Sequence, residues 1–594
     1  MKSILKTYIT RRLSGFRLTE VMETEYQLTT VAAMALSSLQ MDYATSKRHC
    51  YEPVLRWNPV VERYFSRAYG AERFSCISKA LTTPSRYSCI RVNTLQTTID
   101  DVLEKLQEIL HQKGLETVSL TKCQISGLDY VIFVNGSGPN AINYGGHPEA
   151  SQKEVIVSRK CGEAVLRGAQ VFVPGVMACS SRVEKGDRVA VSVAVEKRGS
   201  SGEWAIPMTR GTVLHGSQDD PYYIERHGLY IGQGITTMSR AGIFRAAEGI
   251  AVDIDTRVFS LPSLHDVLKG EIFLQNLPSI IAAHVLDPQR GETILDMCAA
   301  PGGKTTAIAI LMKDQGQVFA IDRSHNKVLH IQKLAAEMGL TCIRTYKMDA
   351  LKSVCRDNEP VDTSNIKHLN QSIFSKDKIA SCEEINFDQV GFHARGESEE
   401  SKNGKLYSSK AVIRKTFRKM RNGPGRNQSL GHRAQQGKGF LQDSFDRVLL
   451  DAPCSALGLR PRLFVEEETI ESLRNHALYQ RRMFDQAVKL VRSGGVIVYS
   501  TCTLNPGENE ALVRYALDRY KFLSLASQHP NVGGPGLVGC YESENGYIEE
   551  WLRPGEEHLV QRFDPSSSLE TIGFFIAKFN VGAKVLDSNE QISG

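Results

Sequence analysis

Residues 292–312 read ETILDMCAAPGGKTTAIAILM, and this stretch decides the fold. The apolar run Thr293 to Met297 predicts a strand, the small residues after it predict a tight turn, and a helix is expected to open near Thr305. Ala299, Ala300, Gly302 and Gly303 carry no bulk, so a ligand can approach the backbone at the sheet edge and the helix N-terminus. With Cys298, Pro301 and Lys304 they form a candidate cofactor turn. Downstream, QVFAIDRS ends a second strand at Asp322, about twenty residues beyond the turn, where an acid commonly accepts from ribose hydroxyls. CIRTYKMDA ends in Asp349, which reads either as an acceptor for an adenine amino group or as a cap on the next segment. Strand, glycine turn, helix and strand is the rhythm of a doubly wound parallel sheet, so the expected fold is a Rossmann-type α/β core holding a nucleotide-like cofactor.

A P-loop is the competing reading of the turn, because Gly303, Lys304 and Thr305 follow in order and RVLLDAP looks like a Walker-B strand. Walker A places a glycine five residues before its Gly-Lys pair, and Cys298 stands there. Pro301 also removes an amide from the phosphate cradle. ATP hydrolysis is therefore the weaker reading.

The chain of 594 residues is long enough for several domains. Its 72 Lys and Arg against 66 Asp and Glu leave a net charge of +6, too dilute to name a partner. Thirteen cysteines without a C-x-x-C pair suggest neither a disulfide framework nor a zinc ribbon, so no metal site is expected and a reducing compartment is. No apolar run is long enough to cross a bilayer, so a membrane span is ruled out, and no membrane partner is expected.

Four regions are expected. Residues 1–52 form an N-terminal extension in which Lys2, Lys6, Arg11, Arg12 and Arg17 precede the first acid, Glu20. That composition suits an organellar transit segment, but Glu20, Glu23 and Glu25 soon break it, and a cytoplasmic protein with a frayed basic end is the preferred reading. Residues 53–150 form a small α/β unit, with a strand near Tyr87 and a helix carrying Val102, Leu103, Leu106 and Leu110 on one face. Residues 151–250 alternate short apolar runs with glycines, the texture of a β-barrel-like module. There Lys197 and Arg198 are candidates to meet phosphate. Residues 251–594 carry the Rossmann-type core, interrupted at about 355–443 by an insertion. Within it, Lys402 to Lys438 holds eleven Lys or Arg and no acid, a composition expected to stay disordered and to attract a polyanion.

Two cysteines carry the chemistry. FDRVLLDAPCSALG ends its strand at Asp451 and continues to Cys454, and SGGVIVYSTCTLNPGENE ends its strand at Ser500 and continues to Cys502. Strand C-termini of a parallel sheet line the ligand crevice, so both thiols are expected to face one pocket.

At these residues a resemblance enters. DMCAAPGGKT, DAPCS and STCT look like the motifs of the Sun-domain (Fmu/Nol/Nop) RNA cytosine-C5 methyltransferases, in that family's order. CGEAVLRGAQVFVPGV followed by GDRVAVSV resembles a PUA domain, a small RNA-binding fold. With RFDP (Arg562 to Pro565) and IGFFIAKF (Ile572 to Phe579), the chain is similar to the PUA-bearing tRNA-methylating branch, over about residues 85–350 and 445–580. The resemblance implies S-adenosylmethionine as cofactor, held by the turn with Asp322, Asp349 and Asp451. It implies Cys502 as the nucleophile that adds to cytosine C6, since C5 alone is too weakly nucleophilic to take a methyl group. It further implies that Asp451 contacts the N3 edge, that Lys304 orients Asp451, and that Cys454 assists release. The implied partner is tRNA at acceptor-stem position 72 near the CCA end, with structured messenger RNA as a further substrate, and the protein is expected to act as a monomer.

Two rivals share parts of this pattern. DNA cytosine methyltransferases carry their nucleophile in a Pro-Cys pair, here Cys454, but that leaves Cys502 without a role. A non-catalytic RNA-binding or ribosome-assembly protein on the same fold is expected to lack Cys502 or the glycine turn, and both are present. Two departures stand out: Ala456 lies where the family has small residues or glycine, and the insertion enters just before Asp451.

Overall fold

A computed structural model describes residues 49–115, 118–144, 153–200, 202–215, 226–264, 266–355, 439–544 and 546–584. The basic N-terminal segment and the tract Lys402 to Lys438 lie outside the described residues. The largest sheet is built from β1 (Thr293–Asp296), β2 (Gln317–Asp322), β3 (Ile343–Lys347), β4 (Phe445–Asp451), β5 (Val491–Thr501), β6 (Leu523–Leu525), β7 (Val560–Phe563) and β8 (Phe574–Val581). Its order is β3-β2-β1-β4-β5-β8-β6, with β7 also paired to β8. The first five are parallel, while β8 runs antiparallel to β5, β6 and β7.

The strands read as apolar runs because both sheet faces are covered. Ile294, Leu449 and Val498 point to one face, where they pack with Ile280, Ile281 and Ile308. Their neighbours Leu295, Leu450 and Ile497 point to the other, against Met483 and Phe484. The alternation is the period of two of a pleated strand. Helix α1 (Gly303–Leu311) follows β1, α2 (His325–Glu337) follows β2, and the long α3 (Ile470–Leu490) covers the second face. The α/β core expected from the sequence is present, with two boundary shifts: β1 ends at Asp296 rather than Met297, and α1 opens at Gly303 rather than near Thr305.

Four expected boundaries move. The strand Ile272–Leu274 pairs with Tyr87–Val92, so a piece of the region beyond 251 completes the small N-terminal sheet. The helices Pro59–Tyr69 and Ala71–Leu81 pack on Leu457, Val465, Leu473 and Leu504, which ties them to the α/β core. The seven-stranded module includes Ile250–Arg257, paired with Tyr230–Thr236, so a boundary at 250 falls at the start of one of its strands. Phe440 already rejoins the core against Phe319, Tyr346 and Phe445, ahead of the expected end of the insertion at 443. In helix Ile99–Gln112, Val102, Leu106 and Leu110 are buried, while Leu103 is half-buried against the same cluster. No helix among the described residues is long and apolar enough to cross a membrane.

Candidate active site

The site begins with register. β4 and β5 are parallel neighbours in which Asp451 stands opposite Ser500. The chain leaving each strand therefore emerges side by side, and the Cys454 and Cys502 sulfurs lie 3.4 Å apart. Lys304, on the first turn of α1, reaches across from β1 and donates to Asp451 Oδ2 at 2.7 Å, while Ser500 Oγ donates to Oδ1 at 2.7 Å. Both carboxylate oxygens are thus held. Lys304 Nζ also lies 3.3 Å from Ser279 Oγ and 5.3 Å from the centroid of the Phe574 ring.

The two thiols are electrostatically unequal. The hydrogen bond from Cys454 lowers the Cys502 thiol below its ordinary value against the opposing effect of burial, with Lys304 helping. The same bond, followed by burial, pushes Cys454 up. A thiol that gives up its proton more readily beside one that holds its proton more tightly suits a nucleophile next to a hydrogen-bond donor.

At the other end of the site, Gly302 has φ of 109°, where a side chain is strained, and a Cβ on Gly303 would come 2.8 Å from Phe273 Cε1. Asp296 is fully buried, accepts from Thr305 Oγ1 at 2.7 Å, and is pushed up to about 7 by burial. Asp322 Oδ1 accepts from the Ser324 amide at 3.0 Å, and its Oδ2 lies 3.8 Å from Lys327 Nζ. Asp349 accepts from the Leu351 amide at 3.1 Å and so caps the short turn Ala350–Lys352.

One cavity of about 960 Å³ joins these groups: Cys298, Ala300, Asp322 and Asp349 line one part of it, and Asp451, Cys454 and Cys502 another. Of the remaining turn residues, Ala299, Gly302 and Gly303 are buried and Pro301 is exposed. A pocket this large, with backbone clear of side chains and two strand-end carboxylates able to accept from hydroxyl or amino groups, fits a nucleoside-type cofactor next to a second planar ring. Lys197 and Arg198 do not reach the cavity. They are exposed on a hairpin with Trp204–Ala205, whose Trp204 ring packs 5.1 Å from Phe464 in the chain beyond Cys454.

Several residues escaped the sequence reading. α3 lines the cavity with Ser472, Asn475, His476, Tyr479 and Met483, a stripe at helical spacing that was legible as a face but not as a wall of this site. Arg562, from the RFDP motif, forms a buried pair with Glu510 and donates to the Leu504 carbonyl at 3.1 Å. Tyr64 donates to Asn505 Oδ1 at 3.1 Å. Together they clamp the loop after Cys502. Ala456 adopts φ of 55°, a left-handed conformation costing roughly 1–2 kcal/mol for a residue with a Cβ, which explains why glycine suits that position.

Comparison with known proteins agrees with this geometry. The profile of the family described as 16S rRNA methyltransferase RsmB/F matches residues 283–362 and 427–580. The chain is 61% identical over 562 residues to the Arabidopsis thaliana rRNA (cytosine-C(5))-methyltransferase NOP2C, covering 92% of this chain and 94% of that protein. It is 31% identical over 566 residues to the Mus musculus tRNA (cytosine(72)-C(5))-methyltransferase NSUN6, covering 89% and 96%. The crystal structure of NSun6 from Pyrococcus horikoshii with SFG matches with a TM-score of 0.59 at 26% identity, over 89% of this chain and 99% of that one.

Proposed function

The chain belongs to the Sun-domain family of RNA cytosine-C5 methyltransferases, the NOP2/NSUN group, and from that premise we propose that it methylates cytosine 72 of the tRNA acceptor stem through a covalent adduct on Cys502. S-adenosylmethionine supplies an electrophilic methyl group when bound, and Cys298, Ala300, Asp322 and Asp349 are the residues that would hold it. The Cys502 thiolate adds to C6 of the target ring and gives C5 enamine character. Asp451, fixed by Lys304 and Ser500, addresses the N3 edge and favours its protonation as the adduct forms. Once C5 is methylated, loss of its proton and rupture of the C6–S bond restore the aromatic ring. Cys454, whose thiol holds its proton more tightly than Cys502, stabilises the departing Cys502 thiolate through the bond between the two sulfurs. The seven-stranded module grips the CCA end, with Lys197 and Arg198 toward phosphate, while the core receives an unstacked base.

The observation that carries this reading is the pair of sulfurs at 3.4 Å beside a carboxylate held by Lys304, in the cavity shared with Asp322 and Asp349. The alignment with NSUN6 along 89% of the chain supports the tRNA substrate. Ribosomal RNA is the second reading, favoured by the 61% identity to NOP2C. Bisulfite sequencing of total RNA from cells with and without the protein decides between them. Loss of 5-methylcytosine at tRNA position 72 is the expected result; an intact position 72 with a lost ribosomal site would replace it with the second reading.

A further inference from the structure

The two cysteine loops meet at more than their sulfurs. Glu508 is fully buried six residues beyond Cys502. Its Oε2 accepts from the Ser455 amide at 3.0 Å and from Gln480 Nε2 at 2.7 Å, and its Oε1 accepts from Ser455 Oγ at 2.5 Å and Asn505 Nδ2 at 3.0 Å. Ser455 Oγ in turn lies 2.7 Å from Thr503 Oγ1. Ser455 follows Cys454 and Thr503 follows Cys502, so one carboxylate is bonded directly to the residue after Cys454 and, through the Ser455 hydroxyl, to the residue after Cys502. Gln480 extends the grip to the other side of Cys454, donating to the Pro453 carbonyl at 3.0 Å.

Four donors match the full acceptor capacity of an ionised carboxylate, while burial pulls the other way and pushes the Glu508 carboxyl above the ordinary carboxylate range. None of the ion pairs among the described residues includes Glu508, so its carboxyl group is held by hydrogen-bond donors without a cation partner. A neutral or apolar junction would fill the same space at lower desolvation cost. The expense is understandable if the placement of the two thiols is what the group secures.

We propose that Glu508 is a positioning residue for both thiols, holding Cys454 and Cys502 in the mutual placement that adduct formation and release share. The chemical consequence rests on the methylation reading above, whereas the geometric claim does not.

The test uses the full chain in two variants, Glu508→Gln and Ser455→Ala, the second removing a single hydroxyl so that a foldable protein is in hand. In RNA-free protein, alkylation of Cys502 and Cys454 by iodoacetamide is followed by mass spectrometry, alongside calorimetric binding of S-adenosylmethionine. Both variants are expected to lose the reactivity of Cys502 relative to Cys454 while cofactor affinity stays at the wild-type value. In methylation assays kcat should fall on the order of 100-fold, the scale of a misplacement near 1 Å. A Ser455→Ala protein with wild-type cofactor affinity and wild-type alkylation at both thiols overturns the inference. Alkylation is read without RNA, so a wild-type protein that methylates no RNA would remove the methylation reading and leave this result standing.

Discussion

The sulfurs of Cys454 and Cys502 lie 3.4 Å apart although 48 residues separate them in the chain. Parallel pairing of β4 with β5 creates that proximity, and the proposed mechanism gives the two thiols different work. With Cys502→Ala, both methyl transfer and covalent RNA attachment should vanish. With Cys454→Ala, RNA should remain attached and appear as a retarded band on a denaturing gel. Methylation surviving in Cys502→Ala would refute the assigned nucleophile, and a Cys454→Ala protein with free RNA would refute the release role.

Lys304 holds one oxygen of Asp451 and Ser500 the other. Lys304→Met leaves the carboxylate with one partner and no nearby charge. A decrease in kcat of about 100-fold is expected, typical of losing one preorganised electrostatic group. Steady-state kinetics with saturating cofactor check this, and unchanged turnover would show that Asp451 needs no cation.

Arg562 and Glu510 form an ion pair with both side chains almost wholly buried. Arg562→Met strands a buried carboxylate and should cost about 3–5 kcal/mol, whereas Arg562→Met with Glu510→Leu should be far milder. Urea unfolding of the single and double variants measures the difference. Equal destabilisation would mean that the contacts of Arg562 with Leu504 and Tyr69, not its charge, dominate.

Asp296 is pushed up to about 7 by burial, so the folded chain holds a proton that the unfolded chain releases nearer pH 4. Its contribution to stability is full below about pH 4 and is lost as pH rises through 7. Relative to Asp296→Asn, the wild-type protein should therefore lose stability across that window. Urea midpoints measured on both proteins between these limits should converge or cross; parallel curves would contradict a protonated Asp296.

Deleting Lys402 to Lys438 removes eleven cations. Filter binding of tRNA across a salt series should then show weaker binding at low salt and a shallower slope of log affinity against log salt, because fewer counterions are released. An identical slope would make the tract a bystander.

The turn, the strand ends and the two cysteines were legible because each is a local signal: apolar runs, small residues and their spacing follow from backbone sterics over a dozen residues. Where the chain folds back on itself, local signals fail. Ile272–Leu274 looked like the start of the catalytic region, yet its partner is a strand nearly two hundred residues earlier. Glu508 carries no signal in the sequence, since nothing in PGENE says that Ser455 and Gln480 converge on it.

The sequence by itself determined the α/β class, the glycine turn and the place of the two cysteines just beyond strand ends, because periodicity and residue size act within one segment. Only the tertiary structure decided which groups hold them: Lys304 and Ser500 on Asp451, Glu508 between the cysteine loops, Arg562 behind them. The physical reason is strand register, which brings residues from distant segments within hydrogen-bonding distance and which no single segment encodes.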